Sequence, residues 1–345
     1  MEPLTTDETL QLFKCLDIPI IENGVNYWFI RTDGGSNFEK FYFNSYVAIG
    51  WDHFTDLAIL NNIEHDELKT QVEEAYPIEK KPGSIASQIL RFVNEIQIGD
   101  YVMIPGENCD LLAFGKIISD AYIYEPTEEE QFDAQFDGTT FEYFKRRNVE
   151  WITDRPFRRS EIDPLLVPII YSYGTIIFAN RYADFINRTL YDMYYRNGKL
   201  HSIFNISRRE DISAYELNNF INNIFHVMDD YSKLTGEQLN KEDLYIKASI
   251  NSPGPVEIIT AATSIFIVLS AISLFLNGAK VKFDFNIFSI VEGSVDIDTP
   301  GLLDKLKSLQ KSDENHPELS TESEKQLKQS QKNLKIKKKS SKKNK

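Results

Sequence analysis

The chain has 345 residues, 42% of them hydrophobic and 26% charged, with 38 basic residues against 52 acidic ones and a net charge of −14. That length supports two or three domains with sizeable cores, and the composition excludes disordered and collagen-like chains. Two cysteines, Cys15 and Cys109, are too few for a disulfide framework or a zinc site, so a reducing, cytoplasmic setting is expected. The opening residues MEPLTTDETLQLFKCLD hold no basic segment followed by an apolar run, and no signal peptide is expected.

The charge is unevenly spread. Residues 325–345 carry ten lysines and no acidic residue, which leaves 28 basic against 52 acidic residues before them, a net of −24. An acidic body argues against a broad nucleic-acid-binding surface, because neutralising phosphates takes Lys and Arg. A small local pocket remains compatible with it.

In chain order, residues 1–24 read as a short helix with Leu12, Phe13 and Leu16 on one face, ended by the turn Glu22-Asn23-Gly24. The period then changes to two: VNYWFIRT is a strand, TDGGS a turn, and YVAIGW a second strand. Residues 62–76 are helical and solvated. After Lys81-Pro82-Gly83, Ser84 to Glu95 reads as an amphipathic helix with Ile85, Ile89, Phe92 and Val93 on one side. A Gly-Asp turn leads into a buried strand, Tyr101 to Ile104, and LLAFGKIISDAYIY follows as a strand pair. The acidic stretch EPTEEEQFDAQFDG reads as a mobile loop, and RRNVEWITDRPF as a last strand carrying Trp151 and closing a first domain near residue 160.

From 165 to about 240 the period returns to 3.6. ANRYADFINRTLYDMYYRNG is expected to be a helix stopped at Gly198, and DISAYELNNFINNIFHVMDDYSKLTG a second helix capped by Ser213 with Glu216 three positions on. Residues 241–310 then read as the strand LYIKASI, an apolar helix over 258–276, the alternating strand KVKFDFNIFSI and a short helix at LLDKLKSL. The polar, repetitive residues 311–345 read as a disordered tail whose lysines suit an anionic membrane or nucleic acid, at about 1 kcal/mol per residue near lipid.

Two groups of residues bear on function. The first runs from Tyr27-Trp28-Phe29-Ile30-Arg31 through Gly34-Gly35 to Val47-Ala48-Ile49-Gly50-Trp51. With Ile98-Gly99-Asp100-Tyr101-Val102-Met103-Ile104-Pro105 and Phe114-Gly115-Lys116-Ile117, it resembles the PUA-like superfamily, and within it the EVE-type and restriction-protein N-terminal modules. The resemblance covers residues 25–160. It implies a small β-barrel with a concave pocket; with the flanking helices and the helical or mixed C-terminal part read from the residue pattern, an α+β chain is expected. In several relatives such a pocket takes a modified base turned out of a nucleic acid, where aromatic walls offset the few kcal/mol of unstacking. By position, Trp28 and Trp51 are the ring walls it implies, and Arg31, Ser84 and Arg91 the polar or phosphate contacts. The plain alternative stands beside this: Trp on short strands is most often core, and Asp100 reads as a turn residue. The acidic stretch 125–142 departs from the family's pattern and would repel a phosphate backbone.

No catalytic constellation emerges. His53, His65, His201, His226 and His316 are scattered without metal-ligand spacing, and there is no Gly-x-Ser-x-Gly, P-loop or Gly-x-Gly-x-x-Gly, so no enzyme and no cofactor are expected. The second group is the 19 uncharged residues of 258–276, long enough for a membrane span and equally readable as a buried or oligomer-packing helix. The leading expectation is a non-enzymatic sensor of a modified base or nucleotide-like ligand in a microbial restriction or antiphage setting, whose C-terminal part transmits or oligomerises. The alternative is a membrane-anchored structural or effector protein in which the barrel is an assembly module, and a degenerate nuclease is a third.

Overall fold

The computed structural model describes residues 5–137, 141–208, 210–248, 254–277 and 321–337. The chain divides into two compact units, Gly24–Ile186 and a second one built from Met1–Asn23 with Asn187–Ser340. The first 23 residues therefore belong with the C-terminal part, and the boundary falls at 186/187, where the sequence had suggested about 160.

The elements of the chain before the boundary are α1 (Thr6–Cys15), β1 (Ile20–Ile21), β2 (Tyr27–Ile30), α2 (Phe38–Phe43), β3 (Tyr46–Ile49), α3 (Leu57–Leu60), α4 (His65–Ala75) and α5 (Pro82–Leu90). They continue with β4 (Tyr101–Pro105), β5 (Leu111–Ile117), β6 (Tyr122–Ile123), α6 (Glu128–Asp137), β7 (Lys145–Trp151), β8 (Phe157–Arg158) and β9 (Ile176–Phe178), then α7 (Ala183–Leu190), within which the boundary lies.

In the unit Gly24–Ile186 the described strands form one curled, half-barrel sheet in an α+β arrangement. Its order is β3-β7-β5-β4-β2-β9, with β6 added to β7 and β8 to β5. β2 and β4 run parallel, Tyr27 beside Tyr101, and their other neighbours are antiparallel. Period-two alternation sends Trp28 and Ile30 of β2, Val102 and Ile104 of β4, and Val47 and Ile49 of β3 into one core. Leu68 and Val72 of α4, Ile85 and Ile89 of α5 and Phe92 just after it join this core. α5 runs on into one π-helical turn, Arg91–Glu95. The segment expected to be an acidic loop contains α6, opened by a reciprocal Thr127–Glu130 cap.

The other unit adds β10 (Met193–Arg196), β11 (Lys199–Ile206), α8 (Ala214–Thr235), β12 (Tyr245–Ala248), β13 (Gly254–Thr260), α9 (Thr263–Leu276) and α10 (Thr321–Leu334). Its sheet runs β1-β10-β11-β13-β12, and α1, α8, α9 and α10 contribute to the core on one face of it. α8 has the expected Ser213–Glu216 capping box and a left-handed Gly236 at its end.

Three expectations change here. The helix foreseen up to Gly198 ends at Leu190; MYYR is β10, and Asn197-Gly198, both with positive φ, is the hairpin turn into β11. The Asn-Gly pair was the signal, because only residues tolerant of positive φ fit such a turn. The apolar helix foreseen over 258–276 is also overturned: residues 258–260 end β13, and α9 has 14 residues, about 21 Å at 1.5 Å each, short of the roughly 30 Å hydrocarbon core. Among the described residues no helix is long and apolar enough to cross a membrane. Finally, residues 321–334 of the segment read as a disordered tail form α10, with Leu327 and Leu334 fully buried. The strand at KVKFDFNIFSI and the helix at LLDKLKSL lie outside the described residues.

Candidate functional site: an uncommitted tryptophan on a clamped turn

The three tryptophans have different fates. Trp28 is buried, and its indole N–H donates to Asp100 Oδ2 at 2.7 Å, so it has no face to offer a ligand. Asp100 also accepts the backbone N–H groups of Asn26 and Gln97, which makes it the buried anchor of the Gly-Asp turn. Trp151 is buried too and donates to the Tyr42 carbonyl at 2.8 Å. Trp51 is only half-buried. Among the described residues its indole N–H has no protein acceptor and its ring meets no other ring.

Trp51 also sits in the left-handed region, with φ of 58°. A bulky residue there is a conformational outlier that persists only where its surroundings fix it. The fixing groups come from the start of β7. Lys145 is fully buried, and its ammonium donates to the carbonyls of Trp51 and Phe54, at 2.9 Å each. The Asp52 carboxylate accepts the backbone N–H groups of Tyr143 and Phe144 at 2.8 and 3.0 Å, and lies 3.7 Å from the Lys145 ammonium. Tyr143 is itself left-handed, with φ of 63°. Two aromatic residues with left-handed backbone are thus tied together through one ion pair of a buried lysine and a partly exposed aspartate.

The unit holds a concavity of about 230 Å³ that is lined by neither Trp51 nor Tyr143, and Tyr143 packs against other neighbours. Its ring edge is 3.9 Å from where a Cβ on Gly50 would lie, it packs edge-on against Phe41, and the Asn37 side chain reaches its hydroxyl. The concavity lies between the turns Asp33–Gly35 and Gly106–Cys109, with Arg31, Thr32 and Cys109 on its wall. The two turns touch so closely that a Cβ on Gly35 would stand 2.3 Å from the Glu107 backbone, and Gly35 has a φ of 104° that only glycine adopts easily.

The electrostatics follow from burial. Desolvation pushes the Lys145 ammonium down to about 8, with Asp52 opposing, and the Arg147 guanidinium down to about 10, with Asp120 and Asp100 opposing. Burial raises the Tyr143 hydroxyl, and the negative charges of Asp33, Glu142 and Asp52 add to it. Burial also raises the Cys109 thiol, against the pull of Arg31 and Arg159.

The Lys145 shift gives a testable pH dependence. The unfolded lysine holds its proton up to about 10.5, the folded one releases it near 8, so between these values the unfolded state binds more protons and stability rises with pH. The increment reaches about 3 kcal/mol and is absent below pH 8. Urea midpoints of the wild type and Lys145→Met, taken from pH 7 to 10, should diverge in favour of the wild type as pH rises. Parallel curves would show that the lysine is not desolvated.

The remaining sequence-derived candidates sit elsewhere in the unit. Arg31 donates from Nε and Nη2 to the carbonyls of Ile170, Ser172 and Gly174 while lining the concavity, and Arg91 donates to the Ile176 carbonyl and pairs with Glu95, so both help to hold the 170–176 segment. Ser84 is exposed near the start of α5. Among the described residues no hydrogen bond or ring contact joins Trp51 to Trp28, Arg31, Ser84 or Arg91. Sequence reasoning missed Lys145, Asp52 and Tyr143. The only trace of them was a Lys-Arg-Arg run entering a strand, which reads as surface charge until its burial is seen.

A second polar cluster lies in the other unit. Glu257, fully buried on β13, accepts from His201 Nδ1 at 2.6 Å and from the Tyr194 hydroxyl at 3.2 Å, and pairs with Arg188 at 3.4 Å. The Tyr194 and His201 rings stack at 4.4 Å. Among the described residues no His, Cys, Asp and Glu group could hold a metal ion.

No curated protein and no solved structure matches the chain. Residues 28–165, two fifths of the chain and wholly inside the unit that carries Trp51, match the family model described as a domain of unknown function (DUF8426).

Proposed function

We propose that the unit Gly24–Ile186 is a PUA-like module that binds a modified base or nucleotide-like ligand by stacking it on Trp51, in a sensor of the restriction or antiphage kind. One observation carries the reading: Trp51 alone of the three tryptophans is only partly buried and leaves its indole N–H without a protein acceptor among the described residues, while a buried lysine holds its left-handed backbone in place. A stacking platform gains from it, because a ring positioned in advance loses little freedom when the ligand arrives. The curled sheet, with β2 parallel to the strand that follows the Gly-Asp turn, supports the same family reading.

In this reading Trp51 supplies the flat surface, Lys145 and Asp52 position its turn, and Arg31 and Arg91 tie the 170–176 segment to the unit. Base–aromatic stacking is worth about 1–3 kcal/mol. Trp51→Ala should therefore weaken binding of a modified nucleoside by about tenfold to a hundredfold. The thermal midpoint should fall by no more than a few degrees, because the ring is only partly buried where it packs against the core. Tryptophan fluorescence of the full chain, titrated with modified nucleosides, reads the binding. Equal affinity in wild type and variant would falsify the assignment.

A further inference from the structure

We propose that the concavity between the turns Asp33–Gly35 and Gly106–Cys109 is an oxyanion site that takes a phosphate group on the guanidinium of Arg31. Trp51 does not line it, so this site stands apart from the base-binding reading above. Its volume of about 230 Å³ is below the roughly 300–1,000 Å³ of sites that enclose a whole drug-sized molecule, which suits a small charged group.

Among the described residues lining the concavity, Arg31 is the only one with a charged side chain. Its Nε donates to the Gly174 carbonyl, and its Nη2 to those of Ile170 and Ser172. Nη1, with two further N–H donors, has no acceptor among the described residues. The guanidinium carbon also lies 5.5 Å from the centre of the fully buried Phe29 ring. The side chain is thus fixed along one edge and open at the other. A donor held in this way loses little freedom when an anion arrives, and a hydrogen bond between two charged groups is among the strong ones.

The rest of the wall suits an anion. Thr32, fully buried, donates from Oγ1 to the Pro105 carbonyl and so ties one turn to the other. With Gly35 against the Glu107 backbone, the shape of the concavity is set before anything binds. Asn108 adds an exposed side-chain amide with no partner among the described residues. Asp33, Glu107 and Asp110 belong to the same turns and are exposed, but none of them lines the concavity. A second cation stands close by. Arg159 donates its backbone N–H to the Asp110 carbonyl and its Nη2 to the Tyr171 hydroxyl, while Arg31 holds the carbonyls on either side of Tyr171. Burial raises the Cys109 thiol, and Arg31 and then Arg159 oppose that push, so the wall lies in their positive field. The acidic balance of the chain disfavours a broad phosphate-binding face and leaves such a local site open.

The test follows Cys109, which lines the concavity, by its rate of alkylation with N-ethylmaleimide in the full chain at neutral pH. Peptide mass spectrometry separates it from Cys15, which lies in the other unit and serves as the control. Millimolar inorganic phosphate should slow Cys109 about fivefold relative to chloride of equal ionic strength, by covering the thiol and cancelling the field that favours its thiolate. Cys15 should keep its rate. In Asn108→Asp the protection should vanish, because a carboxylate then faces the anion; aspartate tolerates the left-handed backbone that Asn108 adopts, so the turn is kept. Adenosine monophosphate protecting beyond inorganic phosphate would place the group on a nucleotide, equal protection would place it on free phosphate, and both uphold the site. An unchanged Cys109 rate in phosphate, full protection in Asn108→Asp, or protection by neutral adenosine equal to that by its monophosphate would overturn it. The readout is a thiol rate and not tryptophan fluorescence, so the base-binding reading stands or falls separately.

Discussion

Asp100→Ala should destabilise the protein by about 4 kcal/mol, a large share of the roughly 5–15 kcal/mol that keeps a typical domain folded. The carboxylate is 3% exposed and accepts three hydrogen bonds, from the backbone N–H groups of Asn26 and Gln97 and from the indole of Trp28. Alanine leaves all three donors without an acceptor in a dry setting, at about 1–3 kcal/mol each, offset in part because a buried charge no longer has to be desolvated. The damage is also topological. Asn26 precedes β2 and Gln97 precedes β4, so Asp100 sets the register of the parallel pair in which Tyr27 lies beside Tyr101. Chemical denaturation measures the loss. Asp100→Asn should recover part of it, because the amide oxygen still accepts from one or two of the donors. An alanine variant within 1 kcal/mol of the wild type would show that the three bonds are not buried ones.

Arg147→Met is expected to cost a similar amount, about 4 kcal/mol, for the mirror-image reason. The guanidinium is almost fully buried on β7 and donates to the carbonyls of Phe92, Val93 and Ser119, at 2.9, 2.9 and 3.1 Å. Phe92 and Val93 lie in the π-helical turn that ends α5, where carbonyls lose their helical partners. One planar guanidinium reaches three such oxygens at once. Methionine matches its bulk and supplies no donor, so three acceptors are stranded at about 1–3 kcal/mol each, less the relief of desolvating a cation whose pKa burial has pushed down to about 10. Arg147→Lys should restore one bond and a minor share of the stability. A wild-type denaturation midpoint in Arg147→Met would overturn this account of how the helix end is closed.

Both residues illustrate where sequence information ended. Gly99-Asp100 was readable as a turn, since Gly with positive φ and a short acidic side chain are what such a turn uses. That the same carboxylate would collect the Trp28 indole from 72 positions away was not, because no periodicity encodes a side-chain bond across a sheet. In the sequence Trp28 and Trp51 were both candidate ring walls on short strands, with Trp51 the stronger of the two. Tertiary packing separated them by giving one an acceptor and the other a strained, half-exposed turn.

The 258–276 segment shows the same limit. Its 19 uncharged residues form one apolar block by composition, but ladder pairing to β11 takes the first three into β13, and a two-residue break precedes α9. Hydropathy reports how much surface must be buried and is silent on whether a strand or a helix buries it.

The sequence by itself determined the α+β class, most strands of the unit Gly24–Ile186, the presence of helix α4, the capping of α8 and the net acidic charge of the chain. These follow from local periodicity, turn chemistry and net charge, all of which are sums over neighbours in the chain. Tertiary structure alone decided that Lys145, Arg146 and Arg147 are buried, that Lys145 clamps the Trp51 turn, and that Met1–Asn23 joins the C-terminal unit. Each of these depends on which carbonyls and which apolar faces meet across long stretches of chain, and a buried cation is stable only where those distant partners converge on it.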